Sequence, residues 1–322
     1  METILVTGGT GLVGSAIKII SDNYKHKKPI RFIFLSSNDC DLTCYDKTFQ
    51  TFDLYKPDYV IHLAANVGGL FKNMNYKVEM FEKNMEINMN VLKCCHLFNV
   101  KKCISCLSTC IFPDKTTYPI NEEMLHNGPP HQSNDAYAYS KRMIQVLSDA
   151  YNKQYNTSRD CVFCCIIPTN IYGPHDNYHL EDSHVVPALI HKAYLAKQNN
   201  KPLYVRGSGT PLRQFIYSED LAKLILWYLL EIDSNESIIL STSEDKEISI
   251  GNVATIIAKE FDIELEFETK YSDGQYKKTA DNTKLLELYK KTNDTDIVFT
   301  PIELGLNKSI KWFIENYNNC RK

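Results

Sequence analysis

Tyr137-Ala138-Tyr139-Ser140-Lys141 sets a phenol and an ammonium four residues apart, a spacing that puts both on one face of a helix. An ammonium held there favours the tyrosinate and draws the phenol pKa down from its usual value of about 10. Tyr137 would then serve as general acid to a carbonyl oxygen that receives a hydride. Spacing alone carries little weight, because Tyr24 and Lys28 share it. Position adds the weight: Ser108 closes the apolar run Cys103-Ile104-Ser105-Cys106-Leu107 upstream, and a hydroxyl there can bond the same carbonyl oxygen.

A carbonyl that accepts a hydride needs a donor, and the first residues are patterned to hold one. Thr3-Ile4-Leu5-Val6-Thr7 runs into Gly8-Gly9-Thr10-Gly11-Leu12-Val13-Gly14 and then into Ser15–Ile20 with apolar Ala16, Ile17, Ile19 and Ile20. In this strand–turn–helix context Gly8 permits the tight turn, Gly11 admits a pyrophosphate, and Gly14 lets helix and strand pack closely. The phosphates would rest on the helix N-terminus. A second apolar run, Ile30–Leu35, ends in Ser36-Ser37-Asn38, with Asp39 delayed beyond the place where NAD-preferring folds set a carboxylate on the ribose. The missing carboxylate favours NADP over NAD, although no Arg or Lys stands there to claim a 2′-phosphate.

These residues need a scaffold, and the chain order supplies one. The runs Thr3–Thr7, Ile30–Leu35, Tyr59–Ala65, Cys103–Leu107 and Val162–Ile167 are apolar without alternating, the mark of parallel strands buried on both faces. Between them lie helical stretches, notably Val78–Phe98 and Ala136–Tyr155; in the second, Met143, Val146, Leu147 and Ala150 recur at helical spacing. The pattern predicts an α/β fold, a doubly wound parallel (Rossmann) sheet with a smaller C-terminal α/β substrate lobe. Ser218 and Ser249 read as N-caps of two later helices. The expected division is a dinucleotide-binding domain over 1–170, joined by 213–240, and a substrate lobe over 171–212 and 241–322.

Composition narrows the class. Of 322 residues 43% are hydrophobic and 23% charged, and 36 basic against 39 acidic residues leave a net charge of −3, so there is no basic footprint for nucleic acid. No run is long and apolar enough to span a membrane, and Met1-Glu2-Thr3-Ile4-Leu5-Val6 lacks the look of a signal peptide, so a soluble cytoplasmic protein is expected. Among the 11 cysteines, Cys103/Cys106 and Cys161/Cys164 have Cys-x-x-Cys spacing. Both pairs sit inside apolar runs rather than on turns that wrap an ion, so they read as small buried hydrophobes and no metal is expected.

Longer segments now join these residues. They are His62-Leu63-Ala64-Ala65-Asn66-Val67-Gly68-Gly69-Leu70, Leu107-Ser108-Thr109-Cys110-Ile111-Phe112-Pro113, Pro168-Thr169-Asn170-Ile171-Tyr172-Gly173-Pro174-His175-Asp176-Asn177, Ser183-His184-Val185-Val186-Pro187, the stretch Gly207–Phe215 and Asp273–Ala280. With the glycine turn and Ser108, Tyr137 and Lys141, the chain resembles the extended short-chain dehydrogenase/reductases, and within them the GDP-L-fucose synthase family. The resemblance implies epimerisation of a GDP-4-keto-6-deoxy-mannose at C3 and C5, then reduction of the C4 ketone with NADPH. It implies a base and an acid for the epimerisations at Cys110 and His184. Cys110 would need its thiol pKa lowered from about 8.5 by a cation, and an imidazole, with an unperturbed pKa of about 6.5, is the side-chain type suited to the acid at position 184. It places cofactor contacts at Leu63, Ala64, Ala65, Leu107, Pro168, Asn170, Ile171 and His184 besides the glycine turn and Ser36–Asn38, and substrate contacts at Lys192, Arg206, Arg213, Asp273 and Lys278. Arg206 departs from the family's usual Trp. His175 and His179 are read as loop or capping residues.

Two other readings compete. One is an NAD-dependent sugar-nucleotide epimerase or dehydratase on the same fold; dehydratases of this group carry Thr-Asp-Glu where this chain has Ser108-Thr109-Cys110, and a 4-epimerase needs no Cys110/His184 pair. The other is a nucleotide sensor without turnover, which has no use for Ser108, Tyr137 and Lys141 together. A homodimer is expected from the resemblance, through the helices 78–98 and 136–155 pairing with their copies as a four-helix bundle.

Overall fold

The computed structural model describes residues 1–24, 26, 28–155, 161–271, 273 and 275–322. The first half alternates β1 (Glu2–Thr7), α1 (Leu12–Ser21), β2 (Ile30–Leu35), α2 (Tyr45–Tyr55), β3 (Tyr59–His62), α3 (Leu70–Asn75), α4 (Lys77–Leu97), β4 (Lys102–Cys106), α5 (Asp135–Tyr155) and β5 (Val162–Pro168). Then follow β6 (Asn170–Tyr172), α6 (Val185–Gln198), β7 (Leu203–Arg206), β8 (Leu212–Arg213), β9 (Phe215–Tyr217), α7 (Ser218–Leu230) and β10 (Ile238–Leu240). The last part holds β11 (Ile248–Ser249), α8 (Ile250–Phe261), β12 (Leu265–Glu268), α9 (Thr283–Asn293) and α10 (Ile302–Glu315).

The main sheet has strand order β10-β5-β4-β3-β1-β2 and parallel pairing throughout, with registers such as Val6↔Ile61 and Ile104↔Cys164. Non-alternating strands follow from burial on both faces: Leu5, Val60 and Cys103 pack into one core with α4 and α5, while Ile4, Ile61 and Ile104 pack into the other with α1 and α7. Cys103 and Cys164 are closed off inside β4 and β5 as small apolar side chains. Strand order reverses direction at β1/β3, which opens a crevice at the carboxyl ends of the strands. A third core joins Tyr172 and Tyr178 to α6, α8, β7 and α10. Among the described residues no helix is long and apolar enough to cross a membrane.

Helix α5 differs from its sequence pattern. Val146 is 43% exposed, and the buried side carries Ala138, Lys141, Ile144, Ser148 and Asn152 instead. One of these, Asn152, is drawn inside by β5, where β10 pairs with Ile166–Pro168 but does not reach Phe163. Asn152 meets that stretch, its Nδ2 donating to Phe163 O at 2.6 Å and its Oδ1 accepting the Phe163 N–H at 3.0 Å. A polar side chain is thus buried because it satisfies strand backbone. Ser249 caps α8 by accepting the Asn252 N–H at 3.0 Å, as expected. Ser218 does not cap α7; Tyr217 holds that position with no side-chain cap, and Ser218 is buried as the first helical residue.

Candidate active site

The site is built from residues that follow the strand ends. Gly8, after β1, has φ 69°, and a Cβ there would stand 2.9 Å from the Ala64 nitrogen. A Cβ on Gly14 would stand 2.5 Å from Gly8 O, so α1 lies directly on the turn. Its N-cap is Gly11, with no side chain on the first helical N–H groups. Glycine-lined backbone and an uncapped helix start fit a dinucleotide pyrophosphate. Leu63–Ala65 and Leu107 follow the ends of β3 and β4, Pro168 closes β5, and Asn170 and Ile171 come just after it in β6. After the end of β2, Asp39 folds back to accept the Ser36 N–H at 2.8 Å and the Ser36 hydroxyl at 2.6 Å. Those two bonds hold its pKa down and leave Ser37 and Asn38 as the exposed turn.

A buried relay ties this crevice to α5. Asn88 Nδ2 donates to Ser140 O at 3.4 Å, so its Oδ1 faces His62 Nε2 at 3.1 Å, which must carry the proton. His62 Nδ1 then accepts the Thr7 hydroxyl at 2.8 Å, and Thr7 Oγ1 accepts the Ala64 N–H at 3.2 Å. Each group is matched with neutral imidazole. Burial first, and the Lys141 charge second, push His62 down to about 3.

The reacting groups converge beyond β4. Ser108 Oγ accepts the Cys110 N–H at 3.4 Å and starts the short 3-10 turn Thr109–Ile111. Arg142 fastens that turn to α5: Nε and Nη2 donate to Ile111 O, the first at 3.0 Å, and Nη1 donates to Gly128 O at 2.9 Å. Lys141, 2% exposed, donates to Cys106 O at 2.9 Å and stands 6.0 Å from the Tyr137 ring centre. Two electrostatic expectations are reversed. Burial, then the charges of Cys110 and Cys106, hold the Tyr137 phenol well above its ordinary value, so it keeps its proton. Burial likewise pushes the Cys110 thiol up, outweighing its bond to Ser108 and the nearby Lys278 and Lys141 ammoniums. Spacing located the cations correctly, but desolvation wins over their attraction.

His184 enters from the second lobe as the exposed N-cap residue of α6, without a side-chain cap bond. The loop before it packs on the crevice: Gly69 lies against the backbone of Glu181 and Asp182. Asp176 is buried near His184. Its Oδ1 accepts the Asn177 N–H at 2.7 Å and its Oδ2 has no partner among the described residues; burial lifts it to about 6, opposed chiefly by the His184 charge. His179 Nδ1 accepts the Glu181 and Asp182 N–H groups, the capping role expected, while His175 packs 4.4 Å from Trp312.

The expected substrate residues fall into two groups. Lys278 lies by Cys110 and Arg213, and burial pushes its pKa down. Arg213 spends terminal nitrogens on Leu212 O at 2.6 Å and Gln275 O at 2.7 Å, so it holds the 275–276 strap rather than presenting an open fork. Lys192 and Arg206 lie together in the lobe, where burial and then Arg206 lower the Lys192 pKa. Arg206 stacks 4.8 Å over Tyr271. Asp273 is committed to Ser208, accepting its N–H at 2.8 Å and its hydroxyl at 2.6 Å; Gly274 of the same motif lies outside the described residues. Sequence reasoning gave no role to His62, Asn88, Arg142 or Asp176, and nothing in their local spacing signals one.

Comparison with known proteins follows the same outline. Residues 4–241 match the NAD dependent epimerase/dehydratase family. A GDP-L-fucose synthase of Dictyostelium discoideum is 56% identical over 324 residues, covering 100% of this chain and 98% of that one. The chain belongs to the GDP-L-fucose synthase branch of that family. A GDP-L-fucose synthetase from Naegleria fowleri, solved bound to NADP, superposes with a TM-score of 0.93 at 50% identity, covering 100% of this chain and 95% of that one. The six-stranded parallel sheet of this chain is thus shared with a GDP-L-fucose synthetase solved with NADP bound.

Proposed function

We propose that this chain epimerises GDP-4-keto-6-deoxy-D-mannose at C3 and C5 and then reduces the C4 ketone with NADPH, giving GDP-L-fucose. The observation that carries the reading is the Cys110 turn, held by Ser108 and by Arg142 on Ile111 O, beside Tyr137 and Lys141, in a chain 56% identical end to end to a GDP-L-fucose synthase. NADPH supplies the hydride when bound, on the Gly8–Gly14 turn. Residues 1–170 with 213–240 hold it, and the lobe of 171–212 and 241–322 holds the nucleotide sugar, with α9 packing back on β10.

In the epimerisation Cys110 takes a proton from the carbon beside the ketone and the C–H electron pair moves into an enolate. Tyr137 and Ser108 donate hydrogen bonds to its oxygen. His184 returns a proton to the same carbon from the other face. In the reduction the Tyr137 proton, retained by burial, passes to the C4 oxygen, and Lys141 balances the phenolate left behind. The Cys110 thiol loses its proton in company with Lys278 and Lys141, whose charges partly offset its burial.

The protein acts as a homodimer in the cytoplasm. Val78, Phe81, Met89 and Leu97 on α4 and Tyr139 and Val146 on α5 are exposed apolar side chains on two helices packed side by side; a second copy covers them as a four-helix bundle. The chemistry is tested by NADPH oxidation with the keto-sugar in D2O. Oxidation with deuterium gained at two carbons is expected; oxidation without deuterium leaves a plain ketoreductase, and no oxidation refutes the proposal.

A further inference from the structure

Residues 275–281 form a strap from the second lobe to the segment after the β4 turn, tied down at both ends. Gln275 Nε2 donates to the Tyr118 hydroxyl at 2.7 Å. The Ile120 N–H donates to Thr279 O at 2.9 Å, and Ile120 O accepts the Asp281 N–H at 2.8 Å. Lys277 and Thr279 both turn to Glu247: Lys277 Nζ stands 3.6 Å from Oε2, and Thr279 Oγ1 donates to Oε1 at 2.7 Å. Lys278, between them, turns instead into a narrow cleft that it lines with Thr109, Cys110 and Tyr118. There it makes no hydrogen bond and no ion pair among the described residues. The neighbouring cations are spent elsewhere, Lys141 on Cys106 O and Arg213 on the carbonyls of Leu212 and Gln275. An ammonium drawn from water without a partner is costly, and a neutral amine much less so. Burial accordingly lowers the Lys278 pKa while it raises that of Cys110, which favours a proton on sulfur and a lone pair on nitrogen. Of the ionisable groups around each, Cys110 acts most on Lys278 and Lys278 most on Cys110.

We propose that Lys278 is a positioning residue that acts through Cys110: its Nζ takes the Sγ proton and then stays as counter-ion to the thiolate. The inference rests on the reaction proposed above. The S–H bond breaks with its electron pair left on sulfur, and the proton joins the nitrogen lone pair. The thiolate then takes the proton from the sugar carbon, which returns Cys110 to thiol while Lys278 holds the extra proton. His184, having protonated the other face, regains that proton through solvent. The rival role is the substrate contact expected for Lys278, with its ammonium on the diphosphate.

Lys278→Ala removes the acceptor and leaves a space that a small amine can enter. Deuterium entry at C3 and C5 of the keto-sugar in D2O should fall by about 10²–10⁴-fold. Added ethylamine should restore part of it in proportion to the free base, a rescue that a merely structural role does not allow. The Kd for GDP and the Kd for NADPH should match the wild type. Wild-type deuterium entry in Lys278→Ala overturns the assignment. A raised Kd for GDP with unchanged turnover of bound keto-sugar also overturns it and gives the ammonium to the diphosphate. A loss that ethylamine leaves untouched overturns it too, and makes Lys278 only a brace of the strap. A wild-type chain that puts no deuterium into the sugar refutes the reaction itself, so the two failures are distinguishable.

Discussion

Lowering the pH should cost this protein stability through His62, a residue that takes no part in the reaction. Its ring is 1% exposed and satisfied only as neutral imidazole, between the Thr7 hydroxyl and Asn88 Oδ1. The folded pKa, about 3, lies below the ordinary value of 6.5. The stabilisation is therefore fully present above the unfolded pKa and is lost as pH falls towards the folded one. From those two pKa values, about 2 kcal/mol is lost by pH 5, nearing a limit of about 5 kcal/mol below pH 3. His62→Gln has no charge to gain, so the stability gap between wild type and variant should close by about 2 kcal/mol on going from pH 8 to 5. Urea unfolding read from Trp227 and Trp312 fluorescence at a series of pH values measures that gap. A gap independent of pH would refute both the tautomer assignment and the neutral relay.

Tyr137→Phe should lower NADPH oxidation by about 10²–10⁴-fold while deuterium still enters C3 and C5; oxidation at the wild-type rate removes Tyr137 from proton transfer. Cys110→Ser should suppress that deuterium entry with NADPH affinity and fold unchanged, checked by mass analysis of recovered substrate; wild-type incorporation would release Cys110 from its role. If the proposed dimer forms through α4 and α5, the wild type sediments as a dimer and Val146→Glu combined with Phe81→Glu as a monomer; a monomeric wild type or an undisturbed dimer would refute that interface.

The parallel sheet was legible because burial on both faces removes alternation from Leu5, Val60 and Ile104 alike. The glycine turn and the Tyr137–Lys141 pair were legible because local geometry, a tight approach and a helical turn, fixes their spacing. Charge states were not. The sign of the shifts at Tyr137 and Cys110 depends on how much protein encloses them, and neighbours distant in sequence decide that. The buried face of α5 was equally hidden, since Asn152 belongs inside only because β10 stops short of Phe163. The place of Asp39 just past the strand end was legible, but its turn back onto Ser36 was not.

The place of β10 has a consequence during synthesis. It closes the edge of β5 through Ile238↔Ile166, Ile239↔Ile167 and Leu240↔Pro168. β5 reads Val162-Phe163-Cys164-Cys165-Ile166-Ile167-Pro168, an apolar strand with backbone donors and acceptors ready to pair. On the ribosome its natural partner emerges about seventy residues later, a delay of roughly 4–14 s at ordinary elongation rates. For that interval the nascent chain presents a bare, sticky strand edge, the template on which copies of one chain join wrongly. A stalled or truncated chain ending before Ile238 keeps that edge open, and should be found in aggregates rather than as a smaller working enzyme.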